Sequence, residues 1–375
     1  MESHLLHQHY CEPNVDECSI PCDLCSSTLV NVVSTLDRNR KYLRTVACRE
    51  CGLLWSDPRP VDPRRFYEHD YRVQYKGVFN PKPKHIYRAG KVAIDRYLRI
   101  RPYLEGRTSL LDVGAGAGEF LYLISGAGLK TIGIEPNYGY GGYARTEYGL
   151  DVRPGFAQDH DFPAASFDAI TLWHVLEHMD RPFANIELAA KWLKPGGLMV
   201  IEVPNAEATC HAPINAFHID HFYNFNQENL AMMGAKAGLH CEDVALSPDG
   251  GNLTALFIQK GGKPRTNCRI SGNCERLVSI IRSHTNLRHY TQSHAYRRLL
   301  GRLRRMLDEA RFTRGFSGGR QCLDQLYATV LRELEGCDIG YGAERCHDIK
   351  QVQPRGRPLQ PENRRAAERR LRPQT

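Results

Sequence analysis

Short apolar runs alternate with amphipathic stretches through the middle of the chain. Between residues 109 and 262 the apolar runs predict buried strands, and the stretches between them have the apolar spacing of helices. Continuous apolar runs joined by helices are typical of a parallel sheet that is covered on both faces, so this region is predicted to be α/β. The last two runs, joined by "PDGGN", predict an antiparallel hairpin that closes the sheet. In chain order the predicted strands are "SLLDV", "KTIGIE", "FDAITLW", "LMVIEVP", "HCEDVALS" and "LTALFIQK".

The pattern changes on both sides of this region and divides the chain into six parts. The parts are a polar leader (1–20), a cysteine-containing module (21–72), a helical lead-in (73–108), the α/β region (109–262), a helical extension (263–350) and a basic tail (351–375). The tail is rich in Arg and Pro with almost no aliphatic residues, so it is expected to be disordered.

Composition narrows the cellular setting. The chain has 375 residues, a net charge of +8 and 13 cysteines, an odd number that cannot all pair within one chain. The N-terminus lacks the apolar core of a signal peptide, and no run approaches the ~20 apolar residues of a membrane span. We therefore expect a cytoplasmic protein without a membrane span, whose clustered cysteines are metal ligands or free thiols.

The glycine-rich turn in "LLDVGAGAGEF" predicts a ligand site. Gly114, Gly116 and Gly118 follow a predicted strand and precede a predicted helix, where an open parallel sheet binds its ligand. A dinucleotide motif would have its third glycine at the position of Glu119, whose carboxylate would lie close to a pyrophosphate. S-adenosylmethionine fits better, since its aminoacyl group needs the close backbone approach that glycines permit. Glu135 ends the second strand and offers two acceptor oxygens to the ribose hydroxyls.

From about Leu110 to Lys260 the sequence resembles the class I S-adenosylmethionine-dependent methyltransferases. This resemblance implies a Rossmann-like, seven-stranded sheet, with the glycine loop on the methionine part of the cofactor and Glu135 on the ribose. Asp112, at the start of the loop, is counted with the cofactor-binding residues. The segments that carry the resemblance are "LLDVGAGAGEF", "GIEPN", "FDAITLWHVLEHMDRP", "LKPGGLMVIEVPN" and "HFYNFNQENLAMMGAKAGL".

Two further cofactor contacts follow from the resemblance. The stretch "GFAQDHDFP" is similar to the family's adenine-contacting loop, with Gln158 or Asp159 as the contacting residue. This sequence departs from the family at Phe156, where many members carry an acid. The family also places His174, of "HVLEH", beside the cofactor.

Two cysteine pairs, "CDLC" and "CREC", predict a structural zinc site in the N-terminal module. Two such knuckles can converge on one tetrahedral ion, and Gly52 after the second pair suits the knuckle turn. Cys11 or Cys18 could replace a ligand at poorer spacing, and unliganded thiols or a redox C-x-x-C pair are the alternatives. The predicted ligands are Cys22, Cys25, Cys48 and Cys51.

The module and the α/β region together are similar to a bacterial group of sugar and surface-polysaccharide biosynthesis methyltransferases, which includes sugar C-methyltransferases. In those enzymes a segment similar to "HIDHFYNF" carries a Tyr, a Glu and a His that act on a keto-sugar. Here His218 replaces the Tyr, Asp220 replaces the Glu, and the base histidine is kept as His221. The histidine that ends "HVLEH" is also kept, as His178.

These residues supply candidate chemistry. Methyl transfer is an in-line displacement that needs alignment of the acceptor and, where required, removal of its proton, for which histidine is well suited near neutral pH. We expect His221, supported by Asp220 and with His178 opposite, to be the base, with His174 beside the cofactor. The alternatives are that the histidines satisfy buried groups, or that His174, Glu177 and His178 hold a divalent metal.

The sequence thus predicts methyl transfer to a small-molecule acceptor, a sugar nucleotide or another sugar of a polysaccharide pathway. One alternative is a methyltransferase whose basic C-terminal region holds RNA or another macromolecule. The other is a cofactor-binding scaffold without catalysis. The amphipathic C-terminal helices could join two copies of the chain in a homodimer.

Overall fold

The structure, a computed structural model, describes residues 18–58, 81–314, 316 and 318–338. Its strands are β1 (Val30–Leu36), β2 (Tyr42–Cys48), β3 (Leu54–Ser56), β4 (Ser109–Val113), β5 (Lys130–Glu135), β6 (Val152–Pro154), β7 (Phe167–Trp173), β8 (Leu193–Pro204), β9 (Tyr223–Asn224), β10 (His240–Leu246) and β11 (Asn252–Ile258). Its α-helices are α1 (Pro83–Leu104), α2 (Glu119–Gly126), α3 (Tyr138–Tyr148), α4 (Pro182–Trp192), α5 (Gln227–Lys236), α6 (Asn273–Ser283), α7 (Asn286–Tyr290), α8 (Ser293–Phe312) and α9 (Gly319–Asp338).

A seven-stranded sheet forms the centre of the molecule, in the order β10-β11-β8-β7-β4-β5-β6. The five strands from β4 to β8 are parallel, and β11 and β10 join antiparallel at one edge. The predicted α/β class, the parallel strands and the closing hairpin are therefore confirmed. The chain runs outward from β4 and then returns to β7, so the carboxyl ends of β4 and β7 flank the switch point where such sheets bind ligands.

Both faces of the sheet are covered, which is why its strands read as continuous apolar runs. Along β8, Leu198 and Val200 pack into one core with α1, α2 and α9, whereas Met199 and Ile201 pack into another with α4 and α5. The alternation follows the two-residue period of a strand. The molecule thus has three layers, with the sheet in the middle.

Strand β6 and helix α3 are among the elements that the apolar pattern did not predict. Strand β6 has three residues, too few to show a period, and supplies the seventh strand that the family resemblance implies. Helix α3 contains Gly139, Gly141 and Gly142, which dilute its apolar stripe. Local capping sets its ends: Asn137 accepts a bond from the backbone N–H of Tyr140 at 3.0 Å, and Gly149 adopts a left-handed conformation at the other end.

The cysteine-containing module forms a second, antiparallel sheet in the order β1-β2-β3-β9. Its last strand, β9, comes from the connection between β8 and α5, so the two regions share hydrogen bonds. Leu54 pairs with Asn224, and Trp55 with Tyr223. The predicted division at residue 72 falls outside the described residues and stays a prediction.

The helical extension packs on the lead-in helix. Leu323 and Tyr327 of α9 are buried, and the Tyr327 hydroxyl donates to the carbonyl of Glu119 at 2.8 Å. None of the described helices has the length and apolar character needed to cross a bilayer. The leader up to residue 17, with Cys11, and the basic tail lie outside the described residues.

Candidate active site

The glycine loop turns tightly at the carboxyl end of β4. Gly114, Gly116 and Gly118 have φ values of 77°, 60° and 86°, in the left-handed region where glycine is favoured. A Cβ atom at Gly114 would come within 2.3 Å of Cγ2 of Val175. The backbone at Gly114 therefore packs against Val175 more closely than a residue with a Cβ atom would allow.

Glu135 ends β5 and is held by the backbone beside it. One carboxylate oxygen accepts the Gly116 N–H at 2.7 Å and the other accepts the Asn137 N–H at 3.0 Å. Each oxygen keeps further acceptor capacity, which suits a pair of neighbouring hydroxyls. Glu135 thus presents a fixed carboxylate at the end of β5, and its contact with the ribose stays a prediction.

A cavity of about 1290 Å³ opens beside this loop. Pockets for one small molecule span roughly 300–1,000 Å³, so the cavity has room for a cofactor and a second molecule. Gly118, Asp159 and Asp220 are not among its lining residues. The predicted site residues that do line it are Asp112, Gly114, Gly116, Glu135, Gln158, His174, His178 and His221.

The two candidates for the adenine contact separate clearly. Gln158 lines the cavity together with Gly155 and Phe156. The Asp159 carboxylate instead accepts the backbone N–H of Phe156 at 2.8 Å and closes its own turn. The geometry therefore favours Gln158.

Asp112 lies buried at the end of β4, where it accepts a 2.6 Å hydrogen bond from the Thr171 hydroxyl. Burial raises the pKa of its carboxyl to about 7. A bound cation, such as the ammonium of an aminoacyl group, would favour the ionised form of Asp112.

His174 is held between two carboxylates. Its Nδ1 lies 3.3 Å from Oε1 of Glu177, and its Nε2 lies 3.3 Å from Oε1 of Glu202. Burial alone would lower the pKa of His174, but the two carboxylates outweigh it and raise the pKa to about 9. His174 is therefore an imidazolium at neutral pH and carries charge instead of accepting a proton.

Sequence reasoning missed Glu202 and its partner Arg96. Arg96, on α1, donates to Oε1 of Glu202 at 2.7 Å and stacks 4.6 Å from the centre of the Trp173 ring. Burial opposes ionisation of Glu202, yet Arg96 and His174 hold its pKa below the usual range. The signal was present, since Glu202 interrupts the apolar run "LMVIEVP" and a buried charge is rare unless paired.

Three histidines from the two predicted clusters lie close together in the cavity. The ring centres of His178 and His221 are 4.8 Å apart, and those of His218 and His221 are 3.7 Å apart. We call His178, His218 and His221 the histidine trio. All three line the same cavity as the glycine loop.

The surroundings of the trio keep two of its rings neutral. Nδ1 of His178 lies 2.6 Å from the carbonyl oxygen of Asp220, so this nitrogen carries the proton and Nε2 keeps its lone pair. Burial lowers the pKa of His178, although Glu177 opposes the shift. Burial, joined by the neighbouring histidines, lowers the pKa of His221 well below its usual value. Both rings can therefore accept a proton at neutral pH.

The Asp220 carboxylate lies beside one member of the trio, His218. Its Oδ2 is 3.5 Å from Nδ1 of His218 and 3.8 Å from the guanidinium of Arg38. The structure thus pairs Asp220 with His218 and Arg38, and the support that the sequence assigns to it for His221 stays a prediction.

The same region could hold a divalent cation, with a different ligand set from the predicted one. Glu177, His178 and His221 each offer one ligand atom within 4.8 Å of the others. His174, expected in this set, is engaged by Glu177 and Glu202 instead. Oε2 of the buried Glu177 has no hydrogen-bond partner among the described residues.

The four predicted cysteine ligands converge in the N-terminal module. Their sulfurs lie within 4.8 Å of one another, with Cys22–Cys51 at 3.5 Å and Cys25–Cys48 at 3.4 Å. Tetrahedral zinc with bonds of about 2.3 Å would set these separations at about 3.8 Å. Cys18 is not part of this group. The free, largely buried thiols therefore fit a four-cysteine zinc site.

Both knuckles share a local conformation. Ser26 and Gly52, each directly after the second cysteine of its pair, have left-handed φ values of 63° and 76°. In each case the residue's N–H donates to the carbonyl of the first cysteine, at 2.8 Å for Ser26 and 2.9 Å for Gly52. This repeated turn aims both sulfurs of a pair at one point.

Comparison with known proteins agrees with the cofactor side of this site. Residues 85–244 match the family model described as "Methyltransferase domain". The chain therefore contains a class I S-adenosylmethionine-dependent methyltransferase domain, the class that its fold and glycine loop define.

Individual relatives are similar over part of the chain. A "Probable S-adenosylmethionine-dependent methyltransferase" of Mycolicibacterium smegmatis is 26% identical over 44% of this chain and 65% of its own length. A "Ubiquinone biosynthesis O-methyltransferase" of Thiobacillus denitrificans is 28% identical over 40% of this chain and 71% of its own length. The chain thus spans about two thirds of the length of these curated relatives. A crystal structure of a SAM-dependent methyltransferase from Archaeoglobus fulgidus is 20% identical, with a TM-score of 0.40 over 50% of this chain and 97% of its own.

Proposed function

We propose that this chain transfers a methyl group from S-adenosylmethionine to a small-molecule acceptor, with a histidine taking the acceptor's proton. The observation that supports the proposal most is a single cavity lined by the glycine loop, by Glu135 and by the histidine trio. A donor site and proton-accepting groups in one cavity are what a base-assisted methyl transfer needs.

Four groups would hold the cofactor, which supplies an electrophilic methyl group when bound. The glycine loop admits the aminoacyl part, Asp112 pairs with its ammonium, Glu135 accepts from the ribose hydroxyls and Gln158 contacts the adenine. The left-handed φ values of the loop glycines and the two backbone bonds to Glu135 support this assignment, because they fix the binding groups before the ligand arrives.

His221 is the proposed base, with His178 beside it. Both are neutral near pH 7, so a proton acceptor is present without prior deprotonation. The charged His174 is assigned to the cofactor side, where Glu177 and Glu202 balance its charge.

The acceptor class that we favour is a sugar nucleotide or another sugar of a polysaccharide pathway. Arg181 also lines the cavity, and its exposed guanidinium can bind a phosphate group. The relatives named ubiquinone biosynthesis O-methyltransferase suggest an oxygen acceptor, such as a hydroxyl group, as the alternative. Both acceptors are small molecules with a removable proton, as the histidine trio requires.

The four-cysteine site is proposed to bind one structural zinc ion. The four converging sulfurs leave no position for a reacting molecule, so the metal would stabilise the module and take no part in methyl transfer.

A second role for the trio is metal-assisted transfer through Glu177, His178 and His221. The separations of at most 4.8 Å between their ligand atoms favour this role. A divalent cation there would lower the pKa of an acceptor hydroxyl. Dialysis against a chelator, followed by addition of Mg²⁺ or Mn²⁺, separates the two roles. Turnover that survives chelation supports the histidine base, whereas turnover restored only by the metal supports the second role.

The experiment that tests the function is an acceptor screen with methyl-labelled S-adenosylmethionine. Nucleoside-diphosphate sugars, nucleoside-diphosphate keto-sugars and dihydroxybenzoates are compared, and S-adenosylhomocysteine is measured by mass spectrometry. We expect acceptor-dependent product with a sugar nucleotide. Product with structured RNA alone would overturn the small-molecule proposal.

A further inference from the structure

The β1–β2 hairpin of the cysteine-containing module lies against the segment that carries two of the trio histidines. The backbone N–H of Arg38, in the hairpin turn, donates to the carbonyl of Phe217 at 2.8 Å. Its guanidinium lies 3.8 Å from the Asp220 carboxylate, with side-chain exposures of 29% and 9%. One residue of the turn thus contacts the segment through both its backbone and its side chain.

The turn that presents Arg38 is itself fixed. The buried Asp37 carboxylate accepts the N–H groups of Asn39 and Lys41, both at 2.8 Å. Arg40 N–H donates to the Asp37 carbonyl at 3.0 Å. An Asp that bonds its own turn in this way restricts the backbone, so Arg38 has a defined position.

The same segment is anchored at its other end by β3. Ser56 N–H donates to the carbonyl of Phe222 at 2.9 Å, and Trp55 pairs with Tyr223. Between the two anchors the Asp220 carbonyl accepts from His178 and so sets which nitrogen of that ring is protonated. Hence the cysteine-containing sheet holds both ends of residues 217–224.

We propose that Arg38 is a positioning residue for the histidine trio, acting through Asp220. The donor half of the cavity is built on β4 and β5, whereas residues 217–224 take their place from the β1–β2 hairpin and β3. The effect of Arg38 on catalysis rests on the proposed function, whereas its effect on the position of the trio does not depend on the acceptor.

The test compares Arg38→Gln, Arg38→Lys and Lys41→Ala in the full chain. Arg38→Gln removes the charge and keeps the backbone bond to Phe217, Arg38→Lys restores a charge, and Lys41→Ala removes a cation from the same turn. Hydrogen–deuterium exchange reports on residues 217–224. Long-range ¹H–¹⁵N spectra report the His178 tautomer, and the His178 signal is assigned as the one that disappears in His178→Gln. S-adenosylmethionine affinity is measured for each variant.

Arg38→Gln should speed exchange in residues 217–224 by up to about fivefold, the factor for losing a partly exposed ion pair, and should alter the His178 signal. Arg38→Lys should restore both, and Lys41→Ala should change neither. Unchanged exchange and an unchanged His178 signal in Arg38→Gln would overturn the proposal, as would an equal effect of Lys41→Ala. If wild-type protein binds no S-adenosylmethionine, the proposed function fails while these exchange results still decide the role of Arg38.

Discussion

Two histidines that line this cavity, His174 and His221, have opposite electrostatic roles. His174 lies between two carboxylates and is charged, whereas His221 is buried among other histidines and is neutral. The sequence predicts both near the donor, but it cannot assign their protonation, because Glu202, which pairs with His174, and His178, which disfavours a charge on His221, come from other parts of the chain. Contact with such partners is set by the fold and not by spacing within a motif.

His221→Ala should lower kcat by about 10²–10⁴-fold while leaving S-adenosylmethionine affinity unchanged, because only the proton acceptor is lost. Since the pKa of His221 is lowered, the acid limb of the wild-type pH profile should lie below about 6.5, the ordinary histidine value. Steady-state kinetics with the acceptor found in the screen measure both. The exposed His240 provides the control, His240→Ala. Full turnover in His221→Ala would show that His221 is not the base.

His174 should make folding stability depend on pH. Its pKa is raised in the folded state, so its contribution is complete below the unfolded value of about 6.5 and is lost as pH rises through the folded value of about 9. The free energy of unfolding in urea, measured from about pH 6 to about pH 9, should therefore fall more for wild type than for His174→Asn. Asparagine tolerates the left-handed backbone at this position, where φ is 55°. Parallel curves for the two proteins would show that the ion pairs do not form.

Among the helices and strands, those with a clear hydrophobic pattern were predicted from the sequence, and those whose ends are set by local caps were missed. The strands β4, β5, β7 and β8 and the hairpin β10–β11 follow from short, mainly apolar runs. Helix α3 escaped because three glycines obscure its stripe, and β9 escaped because two residues carry no pattern. The glycine loop was predictable because its left-handed backbone conformations favour glycine, and the three glycines are visible in the sequence.

Gly118→Ala should destabilise the fold more than Gly128→Ala. Both glycines are left-handed, with φ of 86° and 92°, so each alanine costs about 1–2 kcal/mol in backbone strain. Only at Gly118 would the new Cβ overlap neighbours, at 2.8 Å from Leu150 and 2.9 Å from Ala144, whereas nothing lies within 4 Å at Gly128. Overpacking adds about 1–3 kcal/mol at Gly118. Urea unfolding of the two variants measures the difference, and equal losses would mean that α2 can shift away from α3.

At the scale of the whole molecule, the cysteine-containing module and the methyltransferase domain are joined through a shared sheet. The cysteine spacing predicted the convergence of four thiols, but nothing in the sequence indicated that β3 pairs with β9. That pairing brings together residues more than 160 positions apart, as the bond of Ser56 N–H to Phe222 shows. The cytoplasmic location, the homodimer and the binding of a macromolecule by the tail stay predictions.

Elemental analysis should find about one zinc per chain, and Cys48→Ser should lose it and lower the Tm, because one tetrahedral site uses four thiolates. Faster hydrogen exchange in β9 should accompany the loss, since β9 hydrogen-bonds to β3. The control is Cys18→Ser, which lies outside the four-sulfur group and should keep the metal. A metal-free wild-type protein with the same Tm as Cys48→Ser would contradict the zinc site.

The most direct test of the account is calorimetric titration of S-adenosylmethionine into wild-type protein, Glu135→Gln and Glu187→Gln. Glu135 is buried, with one oxygen bonded to the glycine loop and the other to the Asn137 N–H, whereas Glu187 is exposed on α4. Hydrogen bonds to a charged group contribute about 1.5–3 kcal/mol, so Glu135→Gln should weaken binding about 10- to 150-fold. Glu187→Gln should bind as wild type does, with one site per chain. Absence of binding to the wild-type protein, or equal affinity in all three proteins, would contradict the assignment of this cavity to the methyl donor.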